Sequence, residues 1–294
     1  MKGRGILVCV DGSPQSDAAV LWAAQEAATR RLPMTLIYVV VPVVVTWPVR
    51  YLEAGYRQQQ EVHAKRVIAL AQDTVQGVVD CSDLEVRTEV RHGNAVAELV
   101  AASKAATMTV SGSRGLGAIG AGLLGSVSRG LLHYARSPVA VIHGAPKPDE
   151  RTRPVLLGID GSPASEAATG LAFDEASRRG VGLIALHAWS DVSPVIGDWR
   201  DYEEKASEIL AERLSGFQAQ YPNVHVWRRV VCDRPAKWLI EESTQAQLIV
   251  LGSRGRGGFA RLLLGSVSTK VAESSSTPVI VVPGDAAVRQ SNSA

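Results

Sequence analysis

Two stretches of this 294-residue sequence repeat one spacing of glycine and serine. The first reads Gly112-Ser113-Arg114-Gly115, nine residues, then Gly125-Ser126-Val127-Ser128; the second reads Gly252-Ser253-Arg254-Gly255, nine residues, then Gly265-Ser266-Val267-Ser268. Glycine permits positive φ and carries no Cβ, so such a loop lets a ligand approach the backbone N–H groups. Ser126 and Ser266 each stand just before a helical pattern, where a hydroxyl, open N–H groups and the helix dipole attract an anion. A phosphate is the expected guest, with Arg114 and Arg254 adding charge at the rim. A plainer reading, in which Gly252 ends a strand and Ser266 caps a helix, suits one copy alone. Retention of the whole pattern in two copies that diverge in between favours binding.

The second chemical feature is an aspartate that closes the first apolar run of each half, Asp11 and Asp160. In open parallel sheets a ligand sits beyond the carboxyl ends of the strands where strand order reverses. A carboxylate there, facing the glycine loop, suits ribose hydroxyls or a magnesium-bound phosphate. It also suits the N-cap of the helix that begins near Ser13, and the two roles are compatible.

These residues need a scaffold, and the scaffold is written twice. ILVCVDGSPQSDAAV from Ile6 matches VLLGIDGSPASEAAT from Val155 at an offset of 149, and the glycine motifs match at 140. The nine-residue difference falls around the proline-rich stretch after Val40 and the helix that follows; the pairs Arg30-Arg31 and Arg178-Arg179 align at 148. Within each copy short apolar runs alternate with amphipathic ones. In the second, strands are predicted at 155–159, 182–187, 225–231, 248–251 and 279–282, and helices at 165–179, 201–220, 235–243 and 266–275. Strands separated by helices must be mostly parallel, and continuous apolar strands are covered on both faces. The prediction is two tandem five-stranded parallel-sheet α/β sandwiches: a first domain over 1–145, a linker over 146–153, a second domain over 154–284 and a tail over 285–294. The fifth strand of each copy is an apolar sheet edge, and such edges are paired or covered.

Composition bounds the partners. Lys plus Arg (31) nearly cancels Asp plus Glu (29), a net charge of +2, which argues against a surface built for nucleic acid or an anionic membrane. Leu32–Val49 has 18 uncharged residues, but three prolines and a β-branched centre predict a strand running into a loop. Cys9, Cys81 and Cys232 form no C-x-x-C pair, and the apolar run at Ile6 ends at Asp11, too short for a signal-peptide core. The expected location is the cytoplasm.

Several chemistries lack their residues. Gly115-Leu-Gly117-Ala-Ile-Gly120 fits G-x-G-x-x-G but follows the fourth strand, and the second copy does not repeat it. Gly120 to Ser126 resembles a P-loop without its lysine. Six scattered histidines show no metal-site spacing, and no G-x-S-x-G elbow occurs. The chain reads as a binding protein for a phosphate-bearing ligand.

D-G-S at the end of strand one, with G-x2-G-x9-G-S late in each copy, resembles the universal stress protein family, and the chain is similar to its tandem members over about 280 residues. The resemblance implies a strand order of 3-2-1-4-5 in a Rossmann-like sandwich and ATP as the ligand, up to two per chain, with any magnesium carried by the phosphates. It implies dimer formation and a role in stress adaptation or growth control through nucleotide-dependent conformational or partner switching, with slow ATP hydrolysis or autophosphorylation on Ser126 or Ser266 as the alternative; the downstream protein is not specified. Residues Gly112, Ser113, Arg114, Gly115, Leu116, Gly117 and Ala118, with Gly125 to Ser128, become phosphate and ribose contacts in the first copy. Gly252, Ser253, Arg254, Gly255, Arg256, Gly257 and Gly258, with Gly265 to Ser268, do so in the second. Cys9 and Gly158, with Val40 and Ala188, would line the adenine, and Asp191 would approach the second ribose. Cys9 in place of Gly158 narrows the first adenine pocket, and Leu116 in place of Arg256 weakens its phosphate end, so the second copy is the stronger candidate.

Overall fold

The computed structural model describes residues 5–42, 50–78, 83–116, 124–145, 150–189, 199–255 and 264–284. The chain divides into two compact units, Met1–Ala145 and Pro146–Ala294.

The first unit runs β1 (Ile6–Cys9), α1 (Pro14–Arg30), β2 (Met34–Val40), α2 (Arg50–Gln76), β3 (Val86–His92), α3 (Ala95–Ser103), β4 (Met108–Gly112), α4 (Ser126–Tyr134) and β5 (Val139–Ile142). The second repeats it with β6 (Val155–Gly158), α5 (Pro163–Arg179), β7 (Leu183–Trp189), α6 (Trp199–Gln220), β8 (Val226–Cys232), α7 (Pro235–Glu242), β9 (Leu248–Gly252), α8 (Ser266–Ser274) and β10 (Val279–Val282). Every strand pair within a unit is parallel, in the order β3-β2-β1-β4-β5 and β8-β7-β6-β9-β10. Both units therefore have the 3-2-1-4-5 order, and strands one and four are neighbours, with Asp11 and Asp160 at the reversal point.

The central strands are fully buried: Ile6, Leu7, Val8, Val110 and Val141 in one unit and Val155, Leu156, Leu157 and Val250 in the other have no accessible surface. Helix α1 offers this sheet an alanine-rich face, Ala18, Ala19, Ala23, Ala24 and Ala27, which lets the backbones approach closely. Its buried Glu26 is paired with Arg30, and the equivalent Glu175 of α5 with Arg179 at 2.9 Å; an unpaired buried carboxylate would be costly. Helix α1 ends on Arg31 in the left-handed region (φ 52°), and α5 ends on Gly180 in the same conformation (φ 64°).

The apolar stretch from Leu32 supplies β2, as its β-branched centre predicts, and residues 43–49 lie outside the described set. No helix among the described residues is long and apolar enough to cross a membrane. Of the stretch expected to be a linker, 146–149 are not described, but 151–153 are held onto the second unit: Gln247 Nε2 donates to the carbonyls of Arg151 (2.7 Å) and Arg153 (2.6 Å).

Candidate functional site

At the carboxyl edge of the first sheet, the chain leaves β1 through Asp11 and turns at Gly12 (φ 80°) into α1. The N-cap of that helix is Ser13, whose Oγ accepts from Ser16 N–H at 3.2 Å, so Asp11 is not the cap. Instead Asp11 Oδ1 accepts from Ser13 N–H at 2.9 Å, which locks the carboxylate in place two residues upstream. Asp11 Oδ2 is directed at Gly115, where an added Cβ would collide with it. The Asp11 carboxylate thus touches the glycine loop, and Ser13 Oγ ties the same loop down by donating to Arg114 O at 3.4 Å.

The loop is closed by its own backbone. Ser113 N–H donates to Ile142 O at 2.7 Å, and Gly125 N–H donates to Ser113 O at 2.8 Å. Ser113 is consequently buried beneath the loop, and the backbone N–H groups of Ser113 and Gly125 are spent on closure. Ser128 is likewise internal, its Oγ donating to Gly112 O at 2.6 Å. Gly112 is glycine for packing: a Cβ would sit 2.7 Å from the backbone carbon of Gln15 on α1.

What remains open is the first turn of α4. Its N-cap is Gly125, which has no side chain to fold back, and no side-chain hydrogen bond caps the helix. The N–H groups of the first turn, with the exposed hydroxyl of Ser126, face outward as anion donors. Helices α1 and α3, by contrast, are capped by Ser13 and Asn94.

These parts border one cavity of about 590 Å³, within the range of small-molecule sites. Asp11, Gly112, Arg114, Gly115, Leu116, Gly125, Ser126, Val127 and Ser128 line it at the polar end, joined by Arg129. Cys9, Ile37, Val39, Val41, Ala95 and Leu99 supply an apolar end. Burial, and secondarily the Asp11 charge, push the Cys9 thiol up to about 12, so it is a neutral wall. The same two influences raise Tyr38, also at the cavity. The cradle free of Cβ atoms and the uncapped helix start fit a phosphate, and the apolar end fits a planar base. Gly117, Ala118, Asp191, Arg256, Gly257 and Gly258 lie outside the described residues.

Val40 is buried but does not line the cavity; its neighbours Val39 and Val41 do. Strand register explains this. Met34 pairs with Ile6 and Leu183 with Val155, so strand two aligns between the copies at 149, one residue away from the offset of the arginine pairs. A one-residue slip exchanges the two faces of a strand. Ala188 is therefore the counterpart of Val39, and Val40 that of Trp189. Among the other lining residues that sequence reasoning missed, Ala95, Leu99 and Arg129 come from α3 and α4 and carried no motif.

The second unit repeats the loop bond for bond. Asp160 Oδ1 accepts from Ser162 N–H (2.9 Å), Ser162 Oγ donates to Arg254 O (2.9 Å), Gly265 N–H to Ser253 O (2.7 Å), and Ser268 Oγ to Gly252 O (2.6 Å). A Cβ on Gly255 would collide with Asp160 Oδ2, and the N-cap of α8 is the side-chain-free Gly265. The base end differs. Gly158 pairs with Leu251, and Leu251 and Leu239 cover it. In the first unit the bulk is exchanged: Cys9 stands on β1, and the small Ser111, counterpart of Leu251, faces the same cavity. The narrowing expected at Cys9 is offset across the strands, and the first unit holds the cavity that unites the expected residues.

Two tandem parallel α/β units, each with an aspartate-braced glycine loop before an uncapped helix, define the class of protein. The universal stress protein family model matches residues 4–143 and 151–283, and the chain belongs to that family. It is 54% identical over 286 residues to a universal stress protein of Mycolicibacterium smegmatis, covering 95% of this chain and 96% of that one. It is 48% identical over 286 residues to one of Mycobacterium tuberculosis H37Rv, covering 95% and 97%. Among solved structures, a universal stress protein from Archaeoglobus fulgidus superposes with a TM-score of 0.73 at 22% identity, over 97% of this chain and all of that one, a likeness of fold.

Proposed function

We propose that this protein is an adenine-nucleotide-binding regulator, with ATP as the ligand of the first unit, whose occupancy alters its contacts with other proteins during stress adaptation. The observation that carries the reading is the single cavity in which the Asp11 carboxylate, the glycine cradle and the uncapped start of α4 meet an apolar end at Ile37, Val39 and Leu99. Phosphate oxygens are received by the first-turn N–H groups and Ser126, with Arg114 and Arg129 at the rim. Asp11 Oδ2, beside Gly115, receives a ribose hydroxyl, and the base lies between the β2 and α3 side chains. Membership of the universal stress protein family supports the stress role.

Binding, and not turnover, is the proposed output. The test is to denature freshly purified protein and identify released nucleotide, then to titrate emptied protein with ATP. Release of an adenine nucleotide and a thermal shift with ATP are expected, with turnover below about 1 per second, the ordinary enzyme range. Finding no released adenine compound and no shift with ATP would overturn the reading.

A further inference from the structure

The two copies also part company between their last two helices. In the second unit a cavity of about 630 Å³ opens between α7 and α8, with Arg234, Lys237, Ile240, Glu241, Val267 and Lys270 among its walls. Its origin is a coupled exchange of two residues. In the first unit the buried Gly130 of α4 packs against Val96 of α3: a Cβ on Gly130 would collide with Val96 Cγ1 and lie 3.0 Å from Cγ2. At an offset of 140 the second unit has Ala236 for Val96 and Lys270 for Gly130. Alanine in place of valine removes the side chain that meets Gly130 in the first unit, and the lysine at the Gly130 position is exposed at the cleft.

Two further replacements converge on the same cleft. Arg234 stands where the first copy has Asn94, and Lys237 where it has Ala97; Glu241, for Ala101, is the one carboxylate on the wall. Lys237 Nζ lies 3.6 Å from Glu241 Oε1 and Arg234 Nε 3.9 Å from Asp233 Oδ2, long contacts between exposed side chains that do little to neutralise them. Among the described residues Lys270 forms no ion pair. Three cations thus face one carboxylate around a concave surface completed by Pro235, Ala236, Ile240 and Val267 and by the hydroxyl-bearing Ser266 at the start of α8.

We propose that this cleft is a binding site for a phosphate-bearing small molecule, one per chain, that the first unit does not possess. Ammonium and guanidinium donors on three sides suit a chain of phosphate oxygens, and Ile240 and Val267 accept an apolar portion. The shared chemistry is the phosphate chain, which either a free oligophosphate or a nucleotide can supply. The proposal does not depend on nucleotide binding in the first unit.

Calorimetric titration of the full chain with sodium tripolyphosphate, with ATP and with adenosine tests it. Tripolyphosphate is expected to bind the cleft with an affinity that falls about tenfold or more in the double variant Lys237→Ala, Lys270→Gln, with salt weakening it further. Gly115→Ala, which alters only the first unit's cradle, leaves this binding unchanged and so separates the site from the nucleotide reading. Competition by ATP for the cleft identifies a nucleotide as the source of the phosphate; its absence identifies free oligophosphate. Circular dichroism and thermal melts confirm that the variants fold, and Arg234→Asn, a surface change to the first copy's residue, gives a second route to the same loss. No binding of tripolyphosphate or ATP at the cleft, or equal binding by wild type and variants, overturns the proposal.

Discussion

Asp11 Oδ2 occupies the space that a side chain on Gly115 would need, and Asp160 stands to Gly255 in the same way. Glycine at this point is thus a requirement of the aspartate's position, beyond any requirement of a ligand. Gly115→Ala must displace either the carboxylate or the loop. Calorimetry on this variant is expected to show ATP affinity reduced by at least about tenfold, while the melting temperature moves only slightly, because the change sits at a surface loop. Unaltered affinity would remove Asp11 and Gly115 from the proposed site.

The cap serines join helix to loop. Ser13→Ala removes the bond from Ser16 N–H and the bond to Arg114 O, and Ser162→Ala removes the equivalents. Each is expected to cost about 1–2 kcal/mol in chemical denaturation. The loss should be larger for Ser162, whose loop bond is 2.9 Å against 3.4 Å for Ser13.

Arg31 holds a left-handed conformation at the end of α1 that Gly180 holds at the end of α5. A residue with a Cβ is strained there, whereas glycine adopts it readily. Arg31→Gly is expected to stabilise the first unit by about 0.5–1 kcal/mol, and Gly180→Arg to destabilise the second by a similar amount, both read from thermal melts.

Cys9 gives a pH signature. Its native thiol is pushed from 9.0 up to about 12, so the folded protein holds this proton more tightly than the unfolded chain does. That stability is fully present below pH 9 and is lost as the pH rises from 9 towards 12. Relative to Cys9→Ala, the wild type should lose about 1.4 kcal/mol between pH 8 and pH 10, measured by denaturation at each pH. A constant difference between the two proteins would contradict the burial of this thiol against the Asp11 charge.

The repeat, the parallel sandwich and both glycine loops were legible in the residues, because glycine, serine and the alternation of apolar runs act on the backbone next to them. The face of β2 was not. Arg30-Arg31 aligns with Arg178-Arg179 in the sequence, yet Arg31 takes the backbone place of Gly180, and the resulting single-residue shift moved the expected contact from Val39 to Val40.

Pairs that compensate across the fold were equally hidden. Cys9 with Ser111, against Gly158 with Leu251, and Val96 with Gly130, against Ala236 with Lys270, exchange volume between residues far apart in the chain. Local chemistry determines which segments become strands, helix starts and anion-ready loops. The shape of the base end in each copy, and the cationic cleft in the second, depend on side-chain volumes that meet only when the strands and helices pack.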